Sequence, residues 1–249
     1  CIRDRLQIKR EGNALSATTF PNLEDAQART AFTLLLGGDG QVERLILPTE
    51  EQASWRLRYE TVRDLLCIVE VQTPTGALEV LRYEDEGHLF PGNARTSLPR
   101  VTHHLVHPGF EQPTIEKRYG YELDPGRPDK HNFLGNGLPV TWQDDGLDNL
   151  FRYVGTYAYG SVETWYVADE QGVAQPVRTI TRAFDQFHLQ TSTQTVQNDS
   201  VQRSSTVYNV QLDSDGNMIE FAQQPANVQL PTRSTEAWWR HSQSAVRRE

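Results

Sequence analysis

Leu65-Leu66-Cys67-Ile68-Val69-Glu70-Val71, then Thr73-Pro74-Thr75-Gly76, then Ala77-Leu78-Glu79-Val80-Leu81-Arg82-Tyr83, reads as a β-hairpin. An apolar run rich in β-branched residues meets a Pro/Gly turn and returns as a strand with alternating faces. Leu78 and Val80 fall on one face of the return strand, Glu79, Leu81 and Tyr83 on the other, a period of two that no helix accommodates. Tyr59-Glu60 opens this unit, and Tyr83-Glu84, 24 residues on, opens the next. The spacing recurs downstream, where Phe184-Asp185 is followed 24 residues later by Tyr208-Asn209, with a turn-like Gln197-Asn198-Asp199-Ser200 between them. A fixed period of this length predicts stacked units that bury their faces on their neighbours.

Working outward, further hairpins follow. Leu6, Ile8 and Leu15 suggest a strand pair across Glu11-Gly12-Asn13, and residues 31–47 form a second hairpin around Gly37-Gly38-Asp39-Gly40. Trp55 to Tyr59 is an alternating strand, Arg100 to Val106 a short one, Ile115 to Leu123 another, and Leu150 to Val167 an aromatic-rich one. Residues 177–221 hold three or four strands, with Asp213-Ser214-Asp215-Gly216-Asn217 as the clearest turn, and His188 is placed in a strand. Residues 1–29 and 240–249 are polar and expected to be weakly ordered, and Ser234 or Thr235 caps a short helix over Glu236-Ala237-Trp238-Trp239. No window sustains helical periodicity. The expectation is an all-β chain of twelve to sixteen strands, arranged as consecutive antiparallel hairpins in a curved sheet, with at most that C-terminal helix and no internal domain boundary.

Composition narrows the function classes. The chain has 249 residues, a net charge of −9 and 37% hydrophobic residues, with a pI near 5.3 and a mean hydropathy of −0.61. That apolar share suits a sheet with a wetted face better than a doubly covered α/β core. The acidic balance, with no basic stripe, speaks against nucleic acid and against anionic membranes. No apolar run is long enough for a membrane span. The chain begins at Cys1 and has a single methionine, Met218, which suggests a piece of a larger protein. Cys67 lies in an apolar strand and reads as a small buried hydrophobe.

Residues with catalytic or ligating chemistry are present but badly spaced for it. His103 and His104 point to opposite faces of a strand, so they do not share an ion, although His107 follows closely. Asp144-Asp145-Gly146-Leu147-Asp148-Asn149 clusters oxygen ligands but lacks the spacing and closing Glu of a calcium-binding EF loop, and reads as a hydrogen-bonded turn. Glu70, Glu79, Glu116, Glu122 and Glu163 lie on strands with no pair identifiable as a hydrolytic acid and base. No Gly-x-Ser-x-Gly elbow and no phosphate loop occur. The expectation is a non-enzymatic protein with no cofactor and no metal site. The aromatics Trp55, Tyr157, Tyr159, Trp165, Trp238 and Trp239 leave a carbohydrate-binding or surface-recognition module as the alternative.

Tyr83-Glu84-Asp85-Glu86-Gly87-His88-Leu89 resembles a degenerate Tyr-Asp-x-x-Gly-Arg-Leu signature of RHS/YD-repeat proteins. Phe184-Asp185-Gln186-Phe187-His188-Leu189 and Val207-Tyr208-Asn209 resemble further copies, and Tyr59-Glu60 a copy lacking the Gly. Asn132-Phe133-Leu134-Gly135, Asp148-Asn149-Leu150 and Gln229-Leu230-Pro231 are similar to blocks in the shells of RHS toxins and of the B and C components of bacterial insecticidal Tc complexes. The resemblance implies a strip of hairpins from a spiral shell that encloses a C-terminal toxic domain before delivery, in an exported bacterial toxin component. It implies neighbouring shell segments, the enclosed toxin and other complex subunits as partners. It gives Tyr59, Glu60, Tyr83, Glu84, Gly87, Phe184, Asp185 and Tyr208 a structural role in the repeat. The self-cleaving aspartate segment of that family has no recognisable counterpart, so no cleavage role is carried onto Asp124-Pro125-Gly126.

Overall fold

The computed structural model describes residues 6–19, 29–93, 97–121, 132–240 and 246–248. Among them are fifteen strands and three single 3₁₀ turns, and no α-helix. The strands are β1 (Leu6–Glu11), β2 (Ala14–Thr19), β3 (Arg29–Leu36), β4 (Val42–Ile46), β5 (Ser54–Val62), β6 (Leu65–Gln72), β7 (Leu78–His88) and β8 (Leu98–His107). They continue with β9 (Ile115–Gly120), β10 (Ala158–Ala168), β11 (Ala174–Asp185), β12 (Gln190–Gln197), β13 (Ser200–Tyr208), β14 (Pro231–Arg240) and β15 (Val246–Arg248). The chain is all-β, and strand order in the sheet is chain order, from β1 at one end to β15 at the other. Every registered pair is antiparallel. The chain divides into two compact units, Cys1–Leu81 with Leu105–Thr114, and Arg82–His104 with Ile115–Glu249.

In the first unit, the hairpin from which the sequence was read forms as expected. Val71 pairs with Glu79 and Gln72 with Leu78 around the Thr73–Gly76 turn. β5 and β6 are joined across Arg63 and Asp64, both at positive φ (50° and 62°), a two-residue connection of the kind that matches the twist of its strands. The strand pair expected across Glu11-Gly12-Asn13 forms, within a segment otherwise expected to be weakly ordered: β1 and β2 pair from Leu6–Thr19 to Glu11–Ala14.

In the second unit two expectations change. The proposed helix at Ser234–Trp239 is strand β14, paired with β13 from Ser200–Arg240 to Tyr208–Pro231 and with β15 on its other side. Ser234 and Thr235 offered a local cap, but the Ser/Thr-rich edge of β13 offers a complete ladder, and aromatic and β-branched residues favour the pleated surface. The expected strand from Leu150 is broken: Asn149–Arg152 is a 3₁₀ turn capped by Asp148, and β10 starts only at Ala158. Leu150 is fully buried in that turn. The core of this unit also contains Phe90, Tyr157, Ile180, Phe187, Val201 and Val228.

Five connections share one hydrogen-bond pattern. The first residue donates its N–H to the carbonyl of the fifth, and the fourth donates back to the carbonyl of the first, at 37–41, 73–77, 169–173, 185–189 and 213–217. The fourth residue sits at positive φ each time: Gly40, Gly76, Gly172 and Gly216, at 79° to 89°, but His188 at 60°. This is a type I turn closed by a left-handed residue, where Gly carries no Cβ penalty.

Candidate functional site

The site begins with the exception among those turns. Asp185 Oδ1 accepts from the N–H groups of Phe187 (2.9 Å) and Leu189 (3.1 Å), the role Asp213 plays for Asp215 and Asn217. Unlike the others, this turn is interior: Asp185, Gln186 and Phe187 are all buried. Gln186 Nε2 donates to the Tyr153 carbonyl at 2.8 Å, and Phe187 packs beside Phe151 and Phe221, which stack on each other at 4.6 Å. Burial raises the Asp185 carboxyl above its ordinary range, against the two N–H donors and His188.

His188 bridges two groups. Its Nε2 lies 2.6 Å from Asp148 Oδ2, and its Nδ1 lies 2.6 Å from the Tyr159 hydroxyl. A carboxylate oxygen accepts, so Nε2–H donates to Asp148, and the Tyr159 O–H can then donate to Nδ1. Asp148 is itself held, since Oδ1 accepts the Leu150 N–H at 2.8 Å as the cap of the 3₁₀ turn. Burial, aided by the charges of Asp185 and Asp148, pushes the Tyr159 phenol well above its ordinary range. The Asp148–His188–Tyr159 chain anchors the Tyr159 ring.

Tyr159 and Phe184 stack at 5.2 Å and 14° and form part of the wall of a cavity of about 410 Å³. Gly160, Ser161 and His188 complete that side; Tyr121, Asn132, Phe133 and His88 make up the rest. Asn132 is fixed by Tyr157, whose hydroxyl donates to its carbonyl (2.7 Å) and accepts its N–H (3.0 Å), and its Nδ2 donates to the Leu89 carbonyl at 3.2 Å. The His88 ring meets Tyr121 and Phe133 edge to face, each at 4.7 Å. Burial, helped by the Arg100 guanidinium and opposed by Glu84, pulls the His88 pKa down to about 4, so the ring is neutral at pH 7. His88 Nδ1 is buried with no hydrogen-bond partner among the described residues.

The repeat-signature residues divide into clamps and turn formers. Tyr59 O–H donates to the Val42 carbonyl on β4 at 2.7 Å, and Tyr208 O–H to the Gln190 carbonyl on β12 at 3.2 Å. In each case the acceptor lies on the preceding, paired strand. Tyr121, outside the repeat signature, also donates to a carbonyl, that of Val101 at 2.7 Å, and burial pushes its phenol up to about 12. Glu60 pairs with Arg58 at 2.6 Å on the exposed surface, and Glu84 pairs with Arg100. Tyr83 lies on β7, and Gly87 near its end. Gly87 has φ 68°, and a Cβ there would fall 2.2 Å from the Leu98 carbonyl oxygen. Of the signature residues only Phe184 is among the cavity's described lining residues; Tyr59, Glu60, Tyr83, Glu84, Gly87, Asp185 and Tyr208 are not.

The other candidates resolve individually. His103 Nδ1 meets Thr102 Oγ1 at 3.0 Å and its Nε2 lies 3.8 Å from Glu116; His107 Nδ1 meets Thr114 Oγ1 at 2.8 Å. In the acidic loop, Asp145 pairs with Arg152 and Asp148 with His188, so both carboxylates are engaged by protein groups. No cluster of three ligating side chains occurs among the described residues. Burial raises the thiol pKa of free Cys67. Among the described residues no helix is long and apolar enough to cross a membrane. Comparison with protein-family models and with curated proteins returned no match.

Proposed function

We propose that this chain is a structural segment of an RHS/YD-repeat-like β-shell that encloses a toxic domain until delivery, and that it acts without catalysis. The observation that carries the reading is that the strands neighbour one another in chain order, many joined as antiparallel hairpins, with signature tyrosines tying a strand to the one before it. A wall built this way needs no helical layer, because each strand edge is satisfied by its neighbour. The enclosed cargo is held by many weak contacts, and neighbouring shell segments and other toxin-complex subunits complete the assembly. The carbohydrate-module alternative is less well supported. Trp165 has Lys117 over its ring at 4.5 Å and Tyr166 has Arg118 at 4.0 Å, so cations already occupy stacking faces that a sugar would need.

The test is to express the chain within its parent, with all flanking sequence, and to image the assembly by electron microscopy. A hollow shell with the hairpins in its wall and protease-protected cargo inside is the expected result. Selective retention on a glycan array, lost on Tyr159→Ala, overturns the shell reading in favour of the carbohydrate module.

A further inference from the structure

The cavity of about 410 Å³ in the second unit is open to solvent on one side, and its accessible lining is almost wholly carbon, although several residues that form it carry polar atoms. Most of those atoms are turned to partners within the protein. Tyr121 O–H donates to the Val101 carbonyl (2.7 Å), Tyr159 O–H meets His188 Nδ1 (2.6 Å), and His188 Nε2 meets Asp148 (2.6 Å). Asn132 Nδ2 donates to the Leu89 carbonyl (3.2 Å), and its Oδ1 accepts the Leu134 N–H (2.8 Å). His88 Nδ1 has no partner, but it is buried and so is not offered to the cavity. His88 Nε2 and the Ser161 hydroxyl also lack a partner among the described residues, and they add little to the accessible lining.

We infer that this cavity is a binding site for an uncharged hydrocarbon group of one or two rings, an inference that stands apart from the shell reading. Water is held in a cavity by about two to four polar partners, which these walls do not present. An apolar guest therefore displaces poorly held water at a gain. No Asp, Glu, Lys or Arg is among the described lining residues, so a charged guest would lose its hydration without a countercharge. An apolar cavity of about 150 Å³ suffices for benzene, so this one has room for a second ring. Tyr121, Phe133, Tyr159 and Phe184 supply ring surfaces, on which another ring packs offset or edge to face. Phe133 is 36% exposed and gives the guest apolar surface to cover. The walls are fixed before a guest arrives: His188, bonded at both nitrogens, holds Tyr159, and the Tyr157 hydroxyl holds Asn132. On β10, Gly160 and Ser161 are small and leave the space unfilled. The guest is either a free hydrocarbon-like compound or an apolar ring side chain of a polypeptide; both present the same group.

The experiment titrates the 249-residue chain with naphthalene and with 2,6-naphthalenedicarboxylate, which brings a charge whichever end enters, followed by calorimetry and naphthalene fluorescence. Saturable one-to-one binding of naphthalene is expected, with the dicarboxylate weaker by at least about tenfold. Ser161→Leu puts a larger apolar side chain into the space and should weaken naphthalene binding by at least about tenfold. Absence of saturable naphthalene binding, a dicarboxylate that binds within that factor of naphthalene, or a folded Ser161→Leu variant that loses less than that factor overturns the inference. If the variant does not fold, as judged by circular dichroism, NMR shifts on the unsubstituted chain decide. Naphthalene-induced shifts at Gly160, Ser161 and Phe184 support the site, and their absence overturns it. A final arm uses N-acetylphenylalaninamide: saturation assigns the site to a ring side chain of a polypeptide, and binding of naphthalene alone assigns it to a free small molecule.

Discussion

The turns at 185–189 and 213–217 share the same backbone hydrogen bonds and the same aspartate at the first position, yet their aspartates differ in opposite directions. Asp213 lies half-buried in a turn whose next three residues are exposed, and the N–H groups of Asn217 and then Asp215, together with other local donors, lower its pKa. Asp185 accepts the equivalent bonds, but burial outweighs them and raises its pKa. The fourth position differs as well, Gly216 in one and His188 in the other. A left-handed non-Gly residue costs about 1 kcal/mol, and it persists where surrounding contacts compensate. One turn only reverses the chain; the other has its tip buried under aromatic rings and orients a histidine toward two partners. Identical backbone geometry thus serves as a connection at one place and as a foundation at the other.

The largest effect expected on this contrast comes from pH. His88, across the cavity from the 185–189 turn, has a folded-state pKa near 4 against 6.5 unfolded. The unfolded chain therefore binds the proton first, so stability is fully present above pH 6.5 and is lost as pH falls toward 4, by about 2–3 kcal/mol. Urea titrations across this window should show that loss in the second unit, and His88→Phe should flatten the profile. Next, Asp148→Ala removes the His188 partner and the cap of Leu150 N–H together, and should lower stability by about 2 kcal/mol, whereas exposed Asp215→Ala should change it by less than about 0.5 kcal/mol. Thermal denaturation of the two variants measures the difference directly.

Gly216→Ala places a Cβ at φ 83°, in open space, and should cost about 1 kcal/mol through backbone conformation alone. His188→Gly at the equivalent position should also destabilise, because the ring's two bonds outweigh the relieved strain; equal or greater stability of that variant would show that His188 contributes nothing. The smallest effect separates the aspartates themselves. Carboxyl NMR titration should find Asp185 above 3.8 and Asp213 below it. Asp185 thus disfavours the folded state above its raised pKa, a penalty relieved by acid between that pKa and 3.8. Asp213 contributes stability present above 3.8 and lost below. Asp185→Asn should accordingly be neutral or mildly stabilising at pH 7, and Asp213→Asn mildly destabilising.

Much of the fold was legible because alternation and turn chemistry are local signals. Gly37-Gly38-Asp39-Gly40, Thr73-Pro74-Thr75-Gly76 and Asp213 to Asn217 all announce their turns through glycine at the position that needs it. The 185–189 turn carries no such glycine, so His188 read as a strand residue. Its partner Asp148 lies 40 residues away in a loop that read as a turn in its own right. Nothing in sequence spacing brings those residues to Tyr159, because the meeting depends on a buried turn seated on the 3₁₀ segment. Ser234 and Thr235 failed in the opposite way, as a correct local cap signal overridden by a long-range ladder to β13.

The tyrosine hydroxyls suggest an order of events during synthesis. Each tie from Tyr59, Tyr121 or Tyr208 reaches back only 17 to 20 residues, to a segment already made. Contacts of such short sequence separation close fast. A finger can latch onto its predecessor as it leaves the ribosome, without waiting for the chain that follows. Growth from the N-terminus then confines each newly raw edge to the latest strand until the next one covers it, a safeguard against aggregation in an all-β chain.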